Sequence, residues 1–82
     1  MLSKEDLLQR IEVNPSVMVG KPVIRGTRIP VAMVVRLLGQ GIEELEILRQ
    51  YPHLQEEDIR AALTYAAAVL ANEDVFPIFV ES

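Results

Sequence analysis

Apolar residues recur at helical spacing in the middle of the chain, between residues that typically start and end helices. A first helix is predicted to follow Pro30 and to close at Gly39 and Gly41, because proline suits a first helical turn and glycine a helix end. Its predicted buried stripe consists of Val31, Val34, Val35 and Leu38. A strongly apolar helix of this kind belongs in the interior of a fold.

Two further helices are predicted in the second half of the chain. One begins near Glu43 and stops before Tyr51-Pro52, because a residue that precedes proline disfavours helix. The other runs from about Glu56 to Asn72, and its acidic first turn, Glu56 to Asp58, is expected to be solvated and to match the helix dipole. The residues predicted to be buried are Leu45, Ile47 and Leu48 in the former, and Ile59, Ala62, Leu63, Ala66 and Leu70 in the latter.

The N-terminal third has a different character. Ser3 followed by Asp6 is typical of a capping box and predicts a short helix that Asn14-Pro15 must end. From residue 16 to 29, β-branched residues alternate with glycine and proline, which favours short extended segments or a hairpin over helix. A strand in this segment would place Arg25 on one face, together with Val23 and Thr27.

These elements predict a mainly α fold, a three-helix bundle of the homeodomain-like helix-turn-helix kind. A short N-terminal helix and a small β-hairpin or extended glycine-rich segment complete it. The chain is divided into one domain, residues 1–72, whose extended segment is 16–29, and an apolar tail, residues 73–82. A three-helix bundle with no role in DNA binding needs similar apolar stripes, so that alternative stays open.

The amino-acid composition argues against several kinds of catalytic and metal-binding site. Its 82 residues are half apolar, which fits one folded core, and they include no cysteine and one histidine, His53. Nucleophilic catalysis and zinc sites need more than one such residue, so we expect no enzyme activity, no metal and no cofactor. His53 is expected to pack against the third helix or to cap it. The chain has no signal-peptide or membrane-length apolar run, so a cytoplasmic location is expected.

Charge is distributed unevenly along the chain. Residues 1–40 carry six basic and three acidic residues, a net charge of +3, whereas residues 41–82 carry two and nine, a net charge of −7. The overall charge of −4 argues against indiscriminate nucleic-acid binding. The two halves are therefore expected to face different partners.

The string Gly-Lys-Pro-Val-Ile-Arg-Gly-Thr-Arg-Ile-Pro-Val, residues 20–31, resembles the bacterial domain-of-unknown-function family four-three-three. The resemblance extends from about Ile11 to Ala71 and includes the Tyr-Pro-His-Leu turn at residues 51–54. It implies a homeodomain-like fold and an antitoxin, encoded beside a PIN-like ribonuclease toxin, that dimerises and binds its own promoter. Gln55 departs from the family pattern, which often has Thr or Ser there, and this predicts a weaker cap for the third helix.

The basic residues suggest where DNA would be contacted. The predicted DNA-binding residues are Lys21, Arg25, Thr27 and Arg28 in the glycine-rich segment, because the three carboxylates at the start of the third helix would repel phosphates there. An alternative is that Arg25 and Arg28 pair with acidic residues of the same or a partner subunit and order the turns.

The tail is predicted to be a second binding element. Exposed apolar residues normally mark a partner surface, and a toxin can receive such a segment as an added strand. In the alternative, the tail folds back over its own core or swaps onto a dimer mate. A dimeric interaction module without DNA binding is the rival function. The predicted partner-binding residues are Val75, Phe76, Ile78, Phe79 and Val80.

Overall fold

Four α-helices and one two-stranded antiparallel sheet make up the part of the chain that the structure, a computed structural model, describes: residues 2–16 and 18–72. The prediction of a mainly helical fold with a small β-hairpin is confirmed. No helix in the described part is long and apolar enough to cross a membrane. The elements are α1 (Lys4–Leu8), β1 (Ile11–Glu12), a 3-10 turn (Met18–Gly20), β2 (Val23–Ile24), α2 (Val31–Gly39), α3 (Glu44–Gln50) and α4 (Glu56–Asn72).

Helix α1 begins at the predicted capping box. The Ser3 hydroxyl accepts a hydrogen bond from the Asp6 backbone N–H at 3.1 Å, and the Asp6 carboxylate accepts one from the Ser3 N–H at 3.1 Å. The expectation that this helix runs on to Asn14-Pro15 is wrong, because α1 ends at Leu8. The chain then enters β1, where backbone N–H and C=O groups form hydrogen bonds with β2 in place of helical ones.

The two strands of the hairpin, β1 and β2, lie in segments that were predicted to belong to different elements. Ile11 lies opposite Ile24 and Glu12 opposite Val23, so β1 falls outside the predicted extended segment 16–29. Both residues of β2 are buried, in contrast to the expected alternation of faces. Ile24 packs into the main apolar cluster with the helices, and Val23 is fully covered as well, so this short strand has no solvent face.

Helix α4 is the centre of the domain, because it contacts α1, α2, α3 and β1. Tyr51-Pro52 ends α3 as predicted. The buried apolar cluster joins β2 to the helices and to the turn before α4. Its members are Ile24, Val31, Val34, Ile47, Leu54, Ile59 and Ala62.

Three leucines that were predicted to be buried are exposed. Leu45 is 75% exposed, because it lies about 200° around α3 from the fully buried Ile47. Leu70 is also 75% exposed, since α4 extends beyond the elements that cover its first half. Leu63 is 43% exposed and lines a shallow hollow with Leu2 at the edge of the short α1.

Asp58 corrects the expectation of a solvated first turn in α4. The residue is 7% exposed, and one carboxylate oxygen accepts a hydrogen bond from the Arg10 Nη1 at 3.0 Å. The other oxygen accepts the Gln55 backbone N–H at 2.8 Å, so Asp58 caps the helix from its third position. The expectation that His53 packs against this helix or caps it is wrong: His53 is exposed, and Asp58 provides the cap.

We expect Asp58→Ala to lower the free energy of unfolding by about 1–3 kcal/mol, because it removes the charged partner of the half-buried Arg10 and leaves the Gln55 N–H without its acceptor. Urea denaturation measures the loss. The matched control is Glu46→Ala, which removes an exposed ion pair to Arg49 of similar length, 2.9 Å, and should cost less than about 0.5 kcal/mol. Equal losses in the two variants would contradict the central role of Asp58.

Candidate nucleic-acid interface

A short, hydrogen-bonded loop connects β2 to α2 and carries two of the predicted DNA-binding arginines. We call residues 24–29 the arginine loop. The Ile24 backbone N–H donates to the Ile29 carbonyl at 3.0 Å, and the Thr27 N–H donates to the Ile24 carbonyl at 3.0 Å. Gly26 has φ of 80°, a backbone conformation that side-chain-bearing residues rarely adopt. These constraints fix the backbone that carries Arg25 and Arg28.

Thr27 shapes the arginine loop from within. Its hydroxyl donates a hydrogen bond to the Ile24 carbonyl at 2.7 Å and accepts one from the Ile29 N–H at 3.0 Å. The single hydroxyl proton is thereby engaged inside the loop. The geometry thus gives Thr27 a positioning role beside the two arginines, with no proton left to donate to a ligand.

Arg25 and Arg28 are both exposed. Among residues 2–16 and 18–72, the salt bridges are Arg10–Asp58 and Arg49–Glu46, so neither arginine of the loop is paired there. No ion pair in the described chain therefore supports the alternative in which Arg25 and Arg28 pair with acidic residues of the same subunit. Exposed guanidinium groups on a constrained loop are well suited to bidentate contact with phosphate.

His53 lies beside the arginine loop, although 25 residues separate it from Arg28 in sequence. It lines a hollow of about 600 Å³ together with Arg28, Thr27 and Glu12. It also lines a second hollow, of about 390 Å³, with Arg25 and the Arg10–Asp58 pair. The turn before α4 thus places the imidazole at both hollows, one lined by Arg28 and the other by Arg25, which no periodicity in the sequence indicates.

Acidic groups limit what this surface can bind. Glu12 lines the hollow beside Arg28, and Asp6 lines the hollow beside Arg25. Asp58 faces the same side but its charge is matched by Arg10. Carboxylates in both hollows disfavour a small enclosed anion, whereas a polyanion can meet the exposed loop arginines at the surface.

The remaining predicted site residues are not part of this cluster. Lys21 is exposed and lines a separate apolar groove between α2 and α4. Val75, Phe76, Ile78, Phe79 and Val80, the predicted partner-binding residues, lie outside the described residues. The structure therefore brings Arg25, Thr27 and Arg28 together, adds His53, and places Lys21 elsewhere.

The sequence of residues 11–66 matches the model of the family described as "Protein of unknown function (DUF433)". The chain belongs to this family. The matched range contains the arginine loop, His53 and Asp58, and it does not include Arg10 or the tail. A crystal structure of a DUF433 member protein from Anabaena variabilis resembles this fold with a TM-score of 0.72 and 39% sequence identity, over 76% of this chain and 61% of that one.

Two relatives share parts of the sequence. The "Uncharacterized protein y4eO" of Sinorhizobium fredii is 40% identical over 55 residues, which are 67% of this chain and 25% of that protein. An "Uncharacterized protein" of Archaeoglobus fulgidus is 60% identical over 30 residues, 37% of this chain and 83% of that protein. This chain thus spans about a quarter of the rhizobial protein that it matches.

We expect Thr27→Val to lower the free energy of unfolding by about 1–2 kcal/mol, because it removes two hydrogen bonds that hold the arginine loop. Chemical denaturation measures the change, and amide hydrogen exchange at Ile29 should become faster. Thr64→Val serves as the control, since its hydroxyl makes no hydrogen bond within the described residues. Unchanged exchange at Ile29 in Thr27→Val would show that the hydroxyl does not hold the loop.

Proposed function

We propose that this protein is the antitoxin of a type II toxin–antitoxin pair, that it acts as a cytoplasmic homodimer without enzyme activity, and that it binds its own promoter DNA. The observation that carries the DNA part is the constrained arginine loop, with exposed Arg25 and Arg28 and no ion pair to them within the described chain. The proposed toxin, a PIN-like ribonuclease, follows from the sequence resemblance of residues 11–71.

The proposed docking departs from the usual helix-turn-helix geometry. In a homeodomain-like arrangement, α3 and α4 form the helix pair and the first turn of α4 enters the major groove. That turn presents Glu56 and Glu57, which phosphates would repel. We therefore propose that the arginine loop of each subunit in a dimer contacts the DNA phosphates. In this arrangement α4 does not enter the major groove.

The surroundings of His53 support a binding role over a catalytic one. Among the residues that the structure describes, no serine or cysteine lines the two hollows beside it. The hydroxyl of Thr27, which shares one of these hollows, has its proton engaged by the Ile24 carbonyl at 2.7 Å. General-base catalysis on such a hydroxyl would first have to break the loop that positions it. We propose that His53 adds a hydrogen-bonding contact beside the two arginines.

A second candidate is a dimeric protein-interaction module of the same fold that binds no DNA. The net charge of −4 favours it, because DNA repels an acidic protein at long range. The carboxylates of Asp6 and Glu12 beside the arginine loop favour it as well. The two candidates differ in one measurable property, a salt-dependent affinity for the protein's own upstream DNA.

We expect the double variant Arg25→Ala/Arg28→Ala to lose binding to upstream DNA while its fold is retained, because both guanidinium groups are exposed. An electrophoretic mobility shift at several salt concentrations measures this, and removing two phosphate contacts should reduce the slope of log affinity against log salt by about 1.8 per subunit. The control is Arg49→Ala/Arg60→Ala, which has the same net charge but leaves the arginine loop intact.

Three results of this experiment are informative. Loss in the loop variant with normal binding in the control supports the proposed interface. Equal weakening in both variants would mean that only net charge matters. A wild-type protein that shifts no upstream DNA would favour the interaction module.

We expect Phe76→Asp/Phe79→Asp to lose a co-purifying toxin while DNA binding is retained, because charged residues cannot enter an apolar partner surface. The tagged full-length chain is purified from its native cell, and associated proteins are identified by mass spectrometry. The loop variant Arg25→Ala/Arg28→Ala is the matched control and should keep the toxin. If the Asp variant still retains a ribonuclease, the tail is not the toxin-binding element.

A further inference from the structure

An open apolar groove of about 560 Å³ runs between α2 and the C-terminal half of α4. Its floor is formed by apolar residues of both helices, and Leu70 at one end is 75% exposed. An apolar groove of this kind, which the described residues leave open, normally marks a surface that something binds. The apolar lining of the groove includes Val31, Val35, Tyr65, Ala66, Val69 and Leu70.

The charge at this groove restricts what covers it. Within residues 2–16 and 18–72, its charged lining residues are Lys21 and Arg36, and none of its lining residues carries a carboxylate. If a second copy packed the same groove against itself about a twofold axis, it would bring four cationic groups together around a desolvated surface. The apolar floor and the two cations together favour an occupant that carries both apolar side chains and carboxylates.

The chain itself contains such a segment. Residues 73–82 have the sequence Glu-Asp-Val-Phe-Pro-Ile-Phe-Val-Glu-Ser, in which an apolar run is bracketed by three carboxylates. We propose that this segment, hereafter the tail, binds the groove of its own chain. The tail's apolar side chains then cover the groove floor, and its carboxylates meet Lys21 and Arg36.

The position of the groove favours binding within one chain. Leu70 lines the groove and lies two residues before Asn72, where α4 ends. Six extended residues span about 20 Å, whereas the stretch of α4 from Tyr65 to Leu70 is about 8 Å long. The tail is therefore long enough to turn back and cover it.

A short tether gives a millimolar effective concentration of the tail at the groove. A tail that binds with a dissociation constant of about 0.2 mM would then be bound about five-sixths of the time.

Tryptophan fluorescence tests the proposal in the full-length chain, which contains no natural tryptophan. Phe79→Trp supplies a single reporter in the tail. If the tail binds the groove, its emission shifts to the blue and its quenching by acrylamide falls about sixfold relative to a released tail. Adding Leu70→Asp to the reporter should release the tail, because it removes apolar floor and repels the tail's carboxylates.

The chain offers a matched control for this variant. Leu45 on α3 has the same exposure as Leu70, 75%, and does not line the groove, so Leu45→Asp should leave the reporter protected. Lys21→Glu tests the charge complement independently: it should increase quenching, and so should added salt. Circular dichroism of each variant checks that the helices are retained.

Equal quenching in the reporter alone and in its Leu70→Asp form would overturn the proposal. Protection that grows with protein concentration would overturn it too, because the tail would then bind a second copy. Protection that is lost in Leu70→Asp, kept in Leu45→Asp and independent of concentration supports it. The experiment uses neither DNA nor toxin, so its result does not depend on the proposed function.

Discussion

The ion pair between the half-buried Arg10 and the buried Asp58 is the interaction on which the arrangement of this domain depends. Asp58 is 7% exposed, so both of its carboxylate oxygens need hydrogen-bond donors from the protein. The Arg10 guanidinium donates to one oxygen and the Gln55 N–H donates to the other. The same arginine uses its carbonyl to accept the Arg25 N–H at 2.7 Å. Arg10 therefore joins the start of α4 to the arginine loop, so the position of that loop depends on a residue well outside it.

The domain presents two surfaces of different chemistry. One carries the arginine loop and His53, with Asp6 and Glu12 at its edges. The other is the apolar groove between α2 and α4, bordered by Lys21 and Arg36. Both surfaces take their basic residues from residues 1–40 and combine them with residues from the second half of the chain. The expected division into a basic half and an acidic half that face different partners is therefore not how these two surfaces are built.

The candidate interface was predictable in part. Arg25 and Arg28 are cations in a segment of turn residues, and such segments lie at the surface. The positioning role of Thr27 depends on the hydroxyl's distances to Ile24 and Ile29, which a sequence does not contain. His53 was assigned to packing or capping because a residue 25 positions away from Arg28 joins that loop only through the tertiary fold.

By itself, the sequence determined several helix boundaries through local rules: the Ser3 capping box, the start of α2 after Pro30, and the end of α3 before Pro52. The proline rule did not place the end of α1, which stops at Leu8 because the following residues lead into β1. Tertiary structure decided which side chains are buried. Asp58 was expected to be solvated but is enclosed by an arginine 48 positions away, and Leu70 was expected in the core but lies beyond the neighbouring elements. Burial depends on what packs against a residue, and that contact is set by chain segments remote from it.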